Sequence, residues 1–325
     1  MWRTRAFGLR RTACAHVRLA FTSVFAALVV VLLLKAPRSD VSESHCSPQA
    51  PVVFATILAR TKAQMLPVWL AKFDAYTYPK KRMVVYIRAN DCIDTTVEIL
   101  QEWAQRHRHE YLSVIEDYSS VMPSAAAYGV HEWNAVRFAV LGAIREKSIA
   151  LAIQNNVGFY FVCDVDNMLL PHTLSTLVRH NLPIVAPMLH YALEEDEGKR
   201  GQYGSTYSNF HNVADKNGYF QPNEDYDRIH SRSVRGLLQC DVVHCTYLIR
   251  ADVLSQMRYI DGSERYEYVV FSDNARKRGI PQYLDNQEVY GYLSLSEDVG
   301  ALKRSMGALT LARGNDGADK VAPFE

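Results

Sequence analysis

The chain has 325 residues, 48% of them hydrophobic and 22% charged, a composition that excludes wholesale disorder and suffices for one large domain or two small ones. Its net charge of +1 hides an asymmetry, because Arg3, Arg5, Arg10, Arg11, Arg18 and Lys35 fall in the first 35 residues with no acid among them. Removing these six from the 36 basic residues leaves 30 against 35 acidic ones; the body is mildly acidic, has no basic stripe, and is not expected to bind nucleic acid.

Leu19 to Leu34 runs for 16 residues without a charge. As a helix it would span about 24 Å, short for a bilayer core but extendable by a snorkelling Arg18. With the arginines on its N-terminal side, the positive-inside bias predicts a type II, single-pass membrane protein of the secretory pathway, in the Golgi or endoplasmic reticulum, with a lumenal body. Residues 1–18 are then a cytosolic tail, 19–34 a transmembrane signal-anchor and 35–50 a stem. A cleaved signal peptide fits less well, since Lys35-Ala36-Pro37-Arg38 follows the apolar run, and a mitochondrial presequence would be amphipathic. Cys46, Cys92, Cys163, Cys240 and Cys245 follow the anchor, an odd number without CxxC spacing that suggests no zinc site.

Beyond the stem, strands and helices alternate. Val52 to Leu58 reads as a buried strand, and Ala63 to Tyr76 as a helix with Pro67 near its first turn. A second strand follows at Arg82 to Arg88, then a helix over Asp94 to Arg106 with Asp94 as N-cap. Tyr111 to Ile115 is a third strand, Glu132 to Gln154 a long helix, and Gly158 to Cys163 a fourth strand. Pro171 opens a further helix, and Ile184 to Leu189 is another short apolar run. The alternation predicts an α/β fold with a mostly parallel sheet covered on both faces. From Leu193 onward the segments turn polar and aromatic-rich, suggesting an α+β extension packed on the same sheet.

Asp164-Val165-Asp166 stands directly after the apolar strand Phe159 to Cys163. Ligands of open α/β sheets bind beyond the carboxyl ends of the strands, so both carboxylates are expected in the crevice, holding a hard divalent cation and through it a diphosphate. Cleaving a sugar–diphosphate bond builds charge on the leaving group, which such a cation stabilises without proton transfer. A bare DxD arises about once by chance in a chain of this composition. Asp225-Tyr226-Asp227 is the internal control: an equal match in a polar stretch with no strand before it, read as a solvated loop.

Several blocks resemble the N-terminal glycosyltransferase domain of the procollagen galactosyltransferases and the related cerebral endothelial cell adhesion molecule. These are Ala55 to Arg60, Asp94 to Trp103, Asp164 to Asn167, Pro183 to Leu189, Tyr207 to Phe210, Val243 to Thr246 and Tyr290 to Tyr292, in order across about 240 residues. The resemblance implies a GT-A nucleotide-diphospho-sugar transferase fold over residues 51–295 with a C-terminal tail at 296–325, a UDP-sugar donor, Mn²⁺, and inverting transfer of galactose or glucose to a hydroxyl on a protein or glycan acceptor. By position it puts Thr56, Arg60, Arg88, Asp91, Asp94, Arg137 and Arg145 with Asp164 and Asp166 around the donor. Asp164, Asp166 and His244 become metal ligands, although a lone histidine beside a strand is more often a hydrogen-bonded core residue. Where the family carries an acidic pair before an apolar helix, this chain has Tyr266-Glu267, leaving Glu267 as the expected general base. Two alternatives remain at this point. One is a catalytically inactive adhesion or partner protein; the other, a sugar nucleotidyltransferase, is disfavoured because Ala59-Arg60-Thr61-Lys62 stands where a glycine-rich phosphate loop would be.

Overall fold

Two uninterrupted apolar runs become adjacent buried strands, β1 (Val53–Ala59) and β2 (Met83–Ala89), paired in parallel from Val53 opposite Met83 to Ala59 opposite Ala89. The computed structural model describes residues 49–121, 134–192, 209–294, 298–301 and 303–304. Among these no helix is long and apolar enough to cross a membrane; the predicted anchor, stem and C-terminal tail lie almost wholly outside them.

Between β1 and β2 lies α1 (Leu66–Asp74), with Pro67 in its first turn as expected, where proline's missing N–H is no loss. Then come α2 (Thr96–His107), β3 (Ser113–Asp117), α3 (Ala135–Gln154) and β4 (Phe159–Cys163). β3 pairs with β2, whereas β4 returns to the free side of β1, all in parallel. The order β3-β2-β1-β4 therefore reverses direction at β1, and the crevice at such a switch point is where an open α/β sheet binds its ligand.

The second half does not merely pack on this sheet; it is woven into it. After β5 (Asn167–Leu169), α4 (Thr173–His180), β6 (Ile184–Pro187) and β7 (Leu189–Tyr191), the chain forms β8 (Phe210–His211), α5 (Glu224–His230), β9 (Leu237–Cys240) and β10 (Val242–Val243). Next, β11 (Thr246–Arg250) inserts antiparallel between β4 and β6, followed by α6 (Ala251–Leu254), α7 (Glu267–Lys277), β12 (Gln282–Asp285) and β13 (Gly291–Leu293). Eight strands in the order β3-β2-β1-β4-β11-β6-β12-β9 make the central sheet; β5-β13-β7 and β10-β8 are small satellites. Asp225 and Asp227 lie in the helix α5, not in a loop: Asn223 accepts from Tyr226 N–H, and Tyr226 is buried as the helix's anchor.

Side-chain alternation along each strand divides the core in two. Val53, Ala55, Ile57, Val85, Ile87 and Phe161 face α1 and α2, through Leu66, Trp69, Phe73, Leu100 and Trp103. Phe54, Val84, Tyr86, Tyr160 and Val162 face the other way, toward Ile149 and Ala152 of α3 and Phe271 and Ala275 of α7. Strands buried on both faces read as continuous apolar runs, which is why β1, β2 and β4 were visible in sequence, whereas the edge strand β3, Ser113-Val114-Ile115-Glu116-Asp117, is half-exposed and lies two residues beyond its expected place.

Gly291 lets β13 lie against β5, since a Cβ there would sit 2.6 Å from Met168 O and 2.9 Å from Leu169 Cα. Both are backbone atoms in a paired strand and cannot step aside. Gly291→Ala is expected to cost at least about 2 kcal/mol, read as a lower urea midpoint at unchanged slope.

Candidate functional site

Asp164 and Asp166 occupy the turn between β4 and β5, at the carboxyl end of the strand beside the switch point. Alternation through this turn buries Val165 and leaves the two aspartate side chains 30% and 24% exposed. Hydrogen bonds from four directions fix its backbone. Asp164 N–H donates to Cys245 O at 2.9 Å, Asn167 N–H to Asp164 O at 3.0 Å, and Ser294 N–H to Asp166 O at 3.1 Å. The Trp69 indole N–H lies 3.1 Å from both Asp164 O and Asn167 O, and the Asn167 amide donates to Thr246 Oγ1 at 2.8 Å. Cys245 takes φ of +52°, a conformation that bends the chain just before β11 so that its carbonyl meets Asp164.

The two carboxylates differ. Asp164 Oδ1 accepts from Arg145 Nη2 at 3.0 Å, whereas among the described residues Asp166 has only Lys62 Nζ at 4.0 Å, and its Oδ1 is buried without a hydrogen-bond partner there. Burial, opposed by Lys62 and reinforced by the charge of Asp164, pushes the Asp166 carboxyl up to about 6. An unpartnered buried carboxylate oxygen beside a second carboxylate is the donor chemistry a hard divalent cation satisfies, and the pair fits one, with the remaining positions left to water or phosphate oxygens.

Other predicted residues are gathered less tightly. Arg60 and Asp91 are half-buried on loops after β1 and β2, Asp91 at φ of +51°. Asp94 is not the N-cap of α2, which is Thr95; its carboxylate accepts from Ala63 N–H at 2.9 Å and Thr96 N–H at 3.1 Å, pinning the β1–α1 loop. Thr56 and Arg88 turn into the protein. Thr56, 1% exposed, donates to Phe161 O within the sheet, and Arg88, 2% exposed, is bound to Asp117 at 2.9 Å. Arg137 is half-buried in the first turn of α3, its N–H capped by Asn134. His244 does not join the aspartates in a three-ligand cluster, and among the described residues no such cluster of three or more exists. Instead it stacks on Tyr268 at 4.5 Å and meets His211 edge-on at 5.7 Å; burial, then His211 and Arg145, hold its pKa well below the usual histidine value.

Residues 50–304 match the glycosyltransferase family 25 N-terminal domain. The chain belongs to glycosyltransferase family 25. Procollagen galactosyltransferase 2 of Mus musculus is 30% identical over 263 residues, covering 76% of this chain and 39% of that protein, and its Homo sapiens counterpart is 31% identical over 258 residues with the same coverages. A Homo sapiens protein named inactive glycosyltransferase 25 family member 3 is 27% identical over 281 residues, covering 83% of this chain and 45% of that protein. The chain thus spans 39 to 45% of the length of these family 25 relatives. Among solved structures, Staphylococcus aureus TarS 1-349 in complex with UDP aligns with a TM-score of 0.47 and 13% identity, over 80% of this chain and 66% of that one.

Glu267, expected as the base of this family 25 domain, opens α7 and is 4% exposed. Its Oε1 lies 3.6 Å from Arg145 Nε and its Oε2 has no partner, so the carboxylate faces the buried guanidinium. Burial drives its pKa up to about 7, with Arg145 pulling down and Asp164 pushing up. Asp273, further along α7, is engaged by Arg265 and Lys277, each at 2.9 Å. Lys62 and Trp69 escaped the sequence reading. Lys62 was legible, being a cation three residues past the end of β1 at the switch point, whereas nothing in the sequence marks Trp69 as the donor that braces the aspartate turn.

Proposed function

We propose that this family 25 domain transfers a hexose, galactose or glucose, from UDP to a hydroxyl of a protein or glycan acceptor with inversion, Asp164 and Asp166 holding a divalent cation, Mn²⁺, against the donor diphosphate. The observation that carries the reading is the pair of carboxylates at the switch point, one with a buried unpartnered oxygen. Galactose and a protein acceptor are suggested by the names of the mouse and human relatives. When bound, the cation supplies Lewis-acid stabilisation of the charge that develops on the departing diphosphate. Lys62, 4.0 Å from Asp166, adds a fixed positive charge on the β1 side of the crevice. The braced backbone from Asp164 to Asn167 keeps both carboxylates in place before the donor arrives, so little reorganisation is left to the reaction. We further propose that the body faces the secretory lumen on a type II anchor, the arrangement supported by the arginines before Leu19.

A non-catalytic role is the second reading, favoured by a relative named inactive and by the Tyr266-Glu267 departure from the acidic pair. Retention of both aspartates weighs against it. The two separate in a panel of UDP-sugars offered to the full-length chain with Mn²⁺. The enzyme reading expects turnover of UDP-galactose or UDP-glucose that stops in EDTA; UDP binding without turnover of any sugar would favour the non-catalytic one.

A further inference from the structure

Arg145 is a charge shared between two carboxylates, and only one of them faces the crevice. Its side chain is 2% exposed, Nη2 donates to Asp164 Oδ1 at 3.0 Å, and Nε lies 3.6 Å from Glu267 Oε1. Tyr259 flanks the guanidinium, its ring centroid 5.8 Å from Cζ, and is itself bonded to Tyr247 at 2.6 Å. The close approach of α3 and α7 that joins these groups passes through Gly142, where a Cβ would fall 2.9 Å from Ile260 Cγ1 and 3.6 Å from Glu267 Cβ. Nε and Nη1 of Arg145 and Oε2 of Glu267 make no hydrogen bond, so electrostatics rather than a filled hydrogen-bond set holds the pair.

An arginine against Asp164 alone would neutralise it and oppose the entry of a cation. Glu267 offsets that. Three carboxylates, Asp164, Asp166 and Glu267, stand against two fixed cations, Arg145 and Lys62, which leaves one negative charge for an incoming metal. We infer that Glu267 is a positioning residue, not the base: by engaging Arg145 from behind it keeps Asp164 available to a divalent cation. The inference rests on the aspartate pair being a cation site and adds which buried group sets its affinity. Its geometry also explains the near-complete burial of Glu267, which an attacking acceptor could not reach past Arg145.

The test measures Mn²⁺ affinity of the full-length chain by the electron paramagnetic resonance signal of free Mn²⁺ at pH 8, for wild type, Glu267→Gln and Glu267→Asp, with UDP present. Removing the charge that engages Arg145, itself 3.0 Å from Asp164, is expected to weaken Mn²⁺ binding at least about tenfold in Glu267→Gln. Glu267→Asp keeps the charge and is expected to stay within about threefold of wild type, which a purely structural role would not produce, and Glu267→Met, also uncharged, is read in place of the glutamine variant should that one fail to fold. Unchanged Mn²⁺ affinity in Glu267→Gln together with a hundredfold loss of turnover would overturn the inference and restore the base. Equal weakening in both variants would also overturn it. If wild type binds no Mn²⁺, the cation site itself falls, and this inference with it.

Discussion

Asp164→Ala and Asp166→Ala are each expected to lower UDP-hexose transfer by about 10³-fold or more, the scale of losing a fixed element of transition-state charge stabilisation, while Asp225→Ala stays within about twofold of wild type. The contrast is one of position, because the sequence matches are equal. Asp225 is exposed in the first turn of α5 and pairs with Arg228 on the surface at 2.8 Å, an interaction worth little. The two site variants should differ from each other in stability. Asp166→Ala removes a carboxylate that burial already disfavours and should be neutral or slightly stabilising without metal. Asp164→Ala leaves Arg145 with Glu267 as its remaining partner and should cost about 1 to 3 kcal/mol. Kinetics and chemical denaturation on the same preparations check both halves, and comparable transfer loss in Asp225→Ala would place the donor grip outside the β4–β5 turn.

Arg145→Met should be the most destabilising of the single changes in the site, by about 3 to 5 kcal/mol at pH 8, because it strands Glu267 as a buried carboxylate. The sign of its pH dependence follows from the direction of the Glu267 shift. In wild type that carboxyl is raised from 4.5 to about 7, so the folded state holds the proton more tightly than the unfolded chain. Its contribution is intact below about pH 4.5 and stability falls as pH rises through about 7. Removing the guanidinium raises the carboxyl further, so the deficit of Arg145→Met relative to wild type should widen between pH 5 and pH 8. Urea melts of both proteins at those two pH values, without metal, measure it; a deficit that narrows at high pH would contradict the buried pair.

Much of the fold before Leu193 was legible because its physics is local; β5 and β7, three residues each, were not read as strands. Continuous apolar runs gave β1, β2 and β4 to within a residue, and helical spacing with Pro67 gave α1. β11 was not legible. Thr246 to Arg250 takes its place between β4 and β6 through pairings with residues more than 60 positions away, which no local period announces. The same reason hid Trp69, which acts on Asp164 across 95 residues of sequence. Asp164 and Asp166 could be singled out because a strand end is a local mark. By contrast, Thr56, Arg88 and Asp94 were placed with the donor by resemblance, and their side chains turn to Phe161, Asp117 and the backbone of Ala63 and Thr96. What distinguishes a ligand-facing group from an inward one is tertiary: Arg88 is held by Asp117 at the end of a strand that only the fold brings beside it.

In the proposed function a nucleotide diphosphate is held at the switch point through a cation on Asp164 and Asp166. Calorimetric titration of UDP into the full-length wild-type chain, with Mn²⁺ and again with EDTA, tests it most directly. Binding is expected with Mn²⁺ and at least about tenfold weaker binding in EDTA, since the cation carries the contact between the carboxylates and the diphosphate. Equal affinity in the two conditions, or no binding in either, would contradict it.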